Sequence, residues 1–123
     1  MENAYTAVAE FDDSDGKTWK LQFDYEARAA TRTLFGKSVG EAFADVLAAA
    51  QNDDLGPLCS LLAISAQRHQ PGTVAADMRR ASPPVGVALA AIQRALMWSI
   101  NGPNPPPEEK GPAPAAAEGP ITK

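Results

Sequence analysis

One cysteine, one histidine and no surplus of positive charge stand in a chain of 123 residues. Each scarcity removes a class of function. With Cys59 alone, no intramolecular disulfide can form, and its setting in GPLCSLLAIS reads as a small buried hydrophobe in a reducing compartment. Lys and Arg number 11 against 15 Asp and Glu, a formal charge of −4. A nonspecific DNA binder needs the opposite sign to displace phosphate counterions. No apolar run approaches the roughly 18 residues of a spanning helix, and no basic start leads into an apolar stretch, so neither a membrane span nor a signal peptide is expected. The HExxH, GxSxG and phosphate-loop spacings are missing as well. His69 is flanked by Gln67, Arg68 and Gln70, which offer no carboxylate to orient it and no nucleophile for it to activate. The expectation is a soluble cytoplasmic protein that is not an enzyme, with no catalytic residues, no cofactor, no metal and no small-molecule substrate.

What is present begins with FDDSDGKTWKLQFDY, residues 11 to 25. AYTAVAEF before the loop places Tyr5, Ala7, Ala9 and Phe11 on one side of an extended run. After it, Trp19, Leu21, Phe23 and Tyr25 alternate with Lys20, Gln22 and Asp24. A period of two with aromatic residues is the pattern of a half-buried strand. Two such runs joined across DDSDG predict a β-hairpin, with Gly16 at the positive-φ position and the aspartates accepting hydrogen bonds from the turn backbone. A calcium loop of the EF-hand type fits poorly. With Gly16 in the sixth position, Asp13 and Asp15 fall correctly, but Phe11 stands first and Gln22 last, where oxygen ligands are required. The loop reads as an acidic turn.

A lone hairpin is marginal in water, so the downstream helices must cover it. EARAATRTLFG, residues 26 to 36, predicts a helix capped by Asp24 and ended by Gly36, with Ala27, Ala30, Leu34 and Phe35 as its packing face. SVGE, residues 38 to 41, is a capping box opening a second helix, along which Val39, Ala42, Phe43, Val46, Leu47 and Ala50 recur at helical spacing. A third helix, from residues 54–57 to about His69, has Leu58, Leu61, Leu62 and Ser65 on one face and further apolar residues around it, so it is expected to be central. TVAADMRR predicts a short fourth helix with Thr73 as cap, Val74 and Met78 inward, and Arg79 and Arg80 near its end.

The last helix, in SPPVGVALAAIQRALMWSINGP, starts on prolines and stops at Asn101–Gly102–Pro103. Val85, Leu89, Ile92, Leu96 and Ile100 form a stripe assigned to the core. The remaining surface is hardly polar, because only Gln93, Arg94 and Ser99 are plainly hydrophilic. Val87, Ala91, Arg94, Met97 and Trp98 are therefore singled out as a partner-binding face, used either for self-association or for a helical client. Beyond it, PNPPPEEKGPAPAAAEGPITK holds seven of the chain's 11 prolines and a single large aliphatic residue, Ile121. Such a segment cannot bury enough surface to offset its ordering entropy. The reading is thus α+β: an N-terminal β-hairpin packed on a small bundle of four to five helices over residues 1–102, followed by a disordered Pro/Ala-rich tail over 103–123.

The order of these elements resembles the small tail assembly chaperones of long-tailed phages and of bacterial gene transfer agents. The resemblance runs from residue 5 to about 102. It covers the hairpin, WKLQFDYEARAATRTLFGKSV, LLAISAQRHQPGTVAADM and VGVALAAIQRAL. It implies a cytoplasmic role in a bacterial host, binding the long tape-measure protein while tube subunits polymerise around it, and it brings no ligand set or catalytic residue. Two rivals use the same material. One is a structural tail-completion or neck protein. The other is a small regulatory DNA-binding protein relying on Arg28, Arg32, Arg79 and Arg80.

Overall fold

Asp13 is the residue around which the N-terminal hairpin closes. In the computed structural model, which describes residues 2–102, its carboxylate Oδ1 accepts the backbone N–H groups of Asp15 (2.9 Å) and Lys17 (3.0 Å), and Oδ2 accepts the indole N–H of Trp19 (2.9 Å). Gly16 takes a φ of 82°, which a side chain would strain, and its N–H bonds to the Asp13 carbonyl at 3.0 Å. The expected acidic turn is in place. Both oxygens of its innermost aspartate are already engaged by protein donors.

Strand β1, Ala9–Asp12, pairs antiparallel with β2, Thr18–Leu21, in the register Ala9↔Leu21 and Phe11↔Trp19. Those four side chains are buried, as is Phe23 just beyond β2. The first strand is shorter than its alternation predicts. Asn3 receives the Tyr5 N–H on its side-chain oxygen and bridges Val8 through the backbone, and Ala7 adopts a φ of 60°, so residues 3–8 fold into a turn of their own. Tyr5 is consequently 85 % exposed rather than inward. Tyr25 is likewise corrected: it opens the first helix and is 87 % exposed.

Helix α1, Tyr25–Phe35, is capped as expected, with Asp24 accepting the Ala27 N–H at 2.8 Å and Gly36 ending it in the left-handed region. Its buried pair is Ala27 and Thr31, whose hydroxyl donates to the Ala27 carbonyl at 2.8 Å. Satisfying its own hydroxyl lets a polar residue occupy the inner face. Ala30 and Leu34, expected inward, point to solvent instead. Helix α2, Val39–Gln51, opens on the reciprocal Ser38–Glu41 capping box.

Helix α3, Gly56–Ala66, buries seven of its 11 residues and packs against β2 and all four other helices. The Ser65 carbonyl accepts the Gln22 N–H at 2.8 Å, tying the exit of β2 to this helix. Helix α4, Ala75–Ala81, begins one residue later than expected. Val74 holds the cap position and is exposed, and the Asp77 carboxylate accepts its N–H at 2.9 Å. Thr73 instead gives its hydroxyl to the Gln70 carbonyl. Helix α5, Val85–Asn101, lies along β1. No helix among the described residues is long and apolar enough to cross a membrane. The tail assigned to 103–123 falls outside the described residues.

Truncating the centre of α3 is expected to be severe: Leu62→Ala should lower the unfolding free energy by about 2–5 kcal/mol, read by urea denaturation. Acid should weaken the fold as well. Hydrogen bonds hold Asp13, Glu41 and Asp77 below the usual carboxylate range, the largest cause in each case being the Trp19 indole, the Ser38 N–H and the Val74 N–H respectively. Burial, with the nearby Lys20 and Arg68 charges, lowers His69 below 6.5. A group whose pKa is depressed on folding stabilises the native state above its unfolded value, and this contribution is lost as the pH falls towards the folded one. Stability should therefore decline gently below pH 6.5 as unfolded His69 takes up its proton, and more steeply below the ordinary carboxylate values of 3.8 and 4.5. An Asp13→Asn variant should show a shallower acid slope in denaturation midpoints measured from pH 7 to 3.

Candidate partner-binding surface

The inward direction of α5 decides which side chains are left for a partner. Its buried residues are Ala88, Ala91, Ile92, Ala95 and Leu96. At 100° per residue this direction is rotated by about 70° from the stripe of larger aliphatics. Three of the five are alanines, and small side chains at a contact let a helix axis approach its neighbour closely. The stripe is therefore only partly core. Ile92 and Leu96 are buried and Val85 and Leu89 half-buried, but Ile100 is 62 % exposed. The alternation of alanines at 88, 91 and 95 is the signal that would have revealed this orientation.

The five residues singled out for partner binding separate accordingly. Val87 and Met97 are 46 % and 37 % exposed. Trp98 is half-buried, packed against the core edge. Ala91 is 0 % exposed and belongs to the packing face, so it is removed from the surface. Arg94 is committed within the chain. Its guanidinium donates to Glu2 Oε2 at 2.8 and 3.0 Å and to the Glu10 carbonyl at 3.2 Å, while the Glu10 N–H donates to the same Glu2 oxygen at 3.1 Å. This strut joins the N-terminal segment, β1 and α5.

Two neighbouring hollows flank the exposed end of α5. On one side, α1, the start of α2 and the last turns of α5 bound a groove of about 580 Å³ lined by Ala29, Val39, Leu96 and Ile100 together with Arg28 and Arg32. Arg28 donates to the Ser99 carbonyl and hydroxyl, both at 2.9 Å, while its Nε–H is buried with no hydrogen-bond partner among the described residues. On the other side, Tyr5, Tyr25 and Trp98 edge a hollow of about 460 Å³ that also reaches Arg28. Alternation places both tyrosines inward, so the sequence carries no sign of this aromatic rim.

Other features offer less. Cys59 borders an apolar pocket of about 310 Å³ between α3, α4 and the start of α5. Burial pushes its thiol up, against the opposing pull of Arg79, which keeps it a poor nucleophile. His69 Nε2 lies 2.9 Å from the Gln22 side-chain oxygen. No group of three potential metal ligands occurs among the described residues. The four arginines of the nucleic-acid reading sit on α1 and α4, which do not touch, and Arg80 is paired with Asp77 at 3.1 Å. Comparison of the chain with protein-family models, curated proteins and solved structures returns no match.

The two faces of α5 should respond oppositely to substitution. Met97→Asp and Ile100→Asp should shift stability by no more than about 0.5 kcal/mol. Ala95→Leu, which inserts bulk into the packed face, should cost about 1–3 kcal/mol. Chemical denaturation of the three variants checks both.

Proposed function

We propose that this chain is a non-enzymatic tail assembly chaperone of a phage or gene-transfer-agent particle, which holds the tape-measure protein during tail morphogenesis. The observation that carries the reading is the exposed apolar row at the end of α5. Met97 and Ile100 are exposed one turn apart, and Ile100 lines a groove with Ala29, Val39, Leu96, Arg28 and Arg32. A long helical client presents apolar residues at spacings of three and four with charged residues beside them. Such a helix meets both needs of the groove, apolar contact and an acidic partner for the arginines. The element order of the family supports the same reading, as does the net charge of −4, which favours solubility of a client-laden complex.

A chaperone of this kind contacts its client transiently and leaves before the particle is complete. A tail-completion or neck protein would remain, and that difference separates the two readings. Mass spectrometry of purified particles should find the chain absent; presence at fixed stoichiometry would move the assignment to a structural component.

Binding itself is tested by co-expression with the tape-measure protein followed by pull-down. Fully burying one large aliphatic side chain contributes about 1.5–3 kcal/mol. Replacing both Met97 and Ile100 with Asp should therefore weaken retention of the client by about a hundredfold or more, while circular dichroism shows an unchanged fold. Unimpaired binding by that double variant would sink the proposed grip.

A further inference from the structure

The two edges of the hairpin are closed by different means. Asp13 donates its N–H to the Lys17 carbonyl at 2.9 Å, and antiparallel alternation then makes Phe11↔Trp19 and Ala9↔Leu21 the hydrogen-bonded pairs. The backbone groups of Thr18, Lys20 and Gln22 therefore point away from β1, and those of Val8, Glu10 and Asp12 point away from β2. On the β2 side, the Gln70 side chain donates to the Thr18 carbonyl and accepts the Lys20 N–H, both at 3.4 Å, and the Ser65 carbonyl takes the Gln22 N–H at 2.8 Å. These partners come from α3 and the turn after it, so that edge belongs to the core enclosure.

The β1 edge is closed by the N-terminal segment, and only in part by backbone. Asn3 and Val8 exchange both backbone hydrogen bonds, at 2.8 and 2.9 Å, which is one rung of a third antiparallel strand and shows that the edge has room for one. At Glu10 the ladder gives way to side chains. The Glu10 N–H goes to the Glu2 carboxylate at 3.1 Å in place of a strand carbonyl, and the Glu10 carbonyl takes the Arg94 guanidinium at 3.2 Å in place of a strand N–H. The outward N–H and C=O of Asp12 have no hydrogen-bond partner among the described residues. The substitute is easily detached: the Arg94 and Glu2 side chains are 39 % and 37 % exposed, and an ion pair so exposed adds little to stability. Ala7, which turns the chain back from Asn3 to Val8, sits at a φ of 60°, a conformation that is costly for a residue with a side chain.

We propose that the outer edge of β1 is a strand-addition site and that Glu2 and Arg94 form the latch that covers it. The partner is an extended segment of another protein, pairing antiparallel with Glu10 and Asp12 as Asn3 already pairs with Val8. Its carbonyl replaces the Glu2 carboxylate on the Glu10 N–H, its N–H replaces Arg94 on the Glu10 carbonyl, and Asp12 gains the partners it lacks. Displacing Glu2 leaves the Arg94 guanidinium without its counter-charge. The segment that fits therefore carries an acidic side chain beside Arg94, and no proline where its N–H must donate. A second copy fits less well, because an antiparallel pair of β1 strands sets Glu10 and Asp12 against their own kind. None of Glu2, Glu10, Asp12 and Arg94 lines the α1–α2–α5 groove, so the site stands whether or not that groove holds a tape-measure protein.

The test is an NMR titration of the isotope-labelled full chain with the capped peptide acetyl-Thr-Val-Glu-Val-Thr-amide. Amide shifts should centre on Glu10 and Asp12, and the Asp12 amide should exchange more slowly once peptide is bound. Glu2→Gln, which loosens the latch, should tighten binding about fivefold. Exchanging the peptide's glutamate for lysine should weaken binding by a similar factor, and in Arg94→Gln the two peptides should bind alike. Only one edge of the peptide pairs, so N-methylation of one alternate set of its residues should abolish binding and N-methylation of the other set should leave it. Unmoved Glu10 and Asp12 amides at millimolar peptide, in both the wild type and Glu2→Gln, would overturn the proposal, as would equal tolerance of the two methylation patterns. Slowing of Asp12 exchange with rising protein concentration and no peptide would overturn it too, by assigning the edge to a second copy.

Discussion

Helix α3 has no polar face to give to water, and the rest of the structure is arranged to hide it. Seven of its 11 residues are buried, from Leu58 at its start to Ala66 at its end. Four helices and β2 surround it, and the Gln22–Ser65 backbone hydrogen bond seals the hairpin to it. A domain of this size has little apolar area to distribute. Concentrating it around one largely buried helix leaves the peripheral helices free to bury only narrow strips. That is why α1 fully buries only Ala27 and Thr31, with Phe35 half-buried against the core, and why Leu34, Val74 and Ile100 remain outside.

The hairpin serves as the second wall of that enclosure, and its own geometry depends on short-range polar chemistry. Asp13 binds two backbone N–H groups and the Trp19 indole, fixing the turn and the aromatic ring that lies across the sheet's inner face. Lys17 adds a cation–π contact, 4.1 Å from the centre of the same ring. The Arg94–Glu2–Glu10 strut then clamps the N-terminal segment to α5. Local caps and turns of this kind are strongly encoded. The Ser38–Glu41 box, the Asp24 cap, the Gly36 stop and the Gly16 turn were all legible in the sequence because each depends on residues within a few positions of one another.

Orientation was harder to read than existence. The five helices and the hairpin follow from periodicity and punctuation, but the azimuth of α5 does not. Larger aliphatics at 85, 89, 92, 96 and 100 suggest one inner face, whereas close packing on β1 selects the alanines at 88, 91 and 95. Hydrophobicity ranks side chains by their gain on burial; the distance between backbones decides which of them fit. The same competition explains Ala91 and Arg94. The first was small enough to be drawn inward, and the second acquired a long-range partner 92 positions away in Glu2. Tyr5 and Tyr25 were misplaced because the alternation that carries them continues past the points where Asn3 and Asp24 bend the chain.

The alanine seam of α5 has a mechanical consequence. Ala88, Ala91 and Ala95 are each 0 % exposed, so a roll of the helix would drive their methyl groups into close-packed neighbours, and the packing thereby sets the angle at which Met97 and Ile100 are displayed. A partner of the kind proposed above would meet a ready-shaped ridge and would not bear the entropic cost of assembling one; discrimination would then fall to the shape and spacing of that partner.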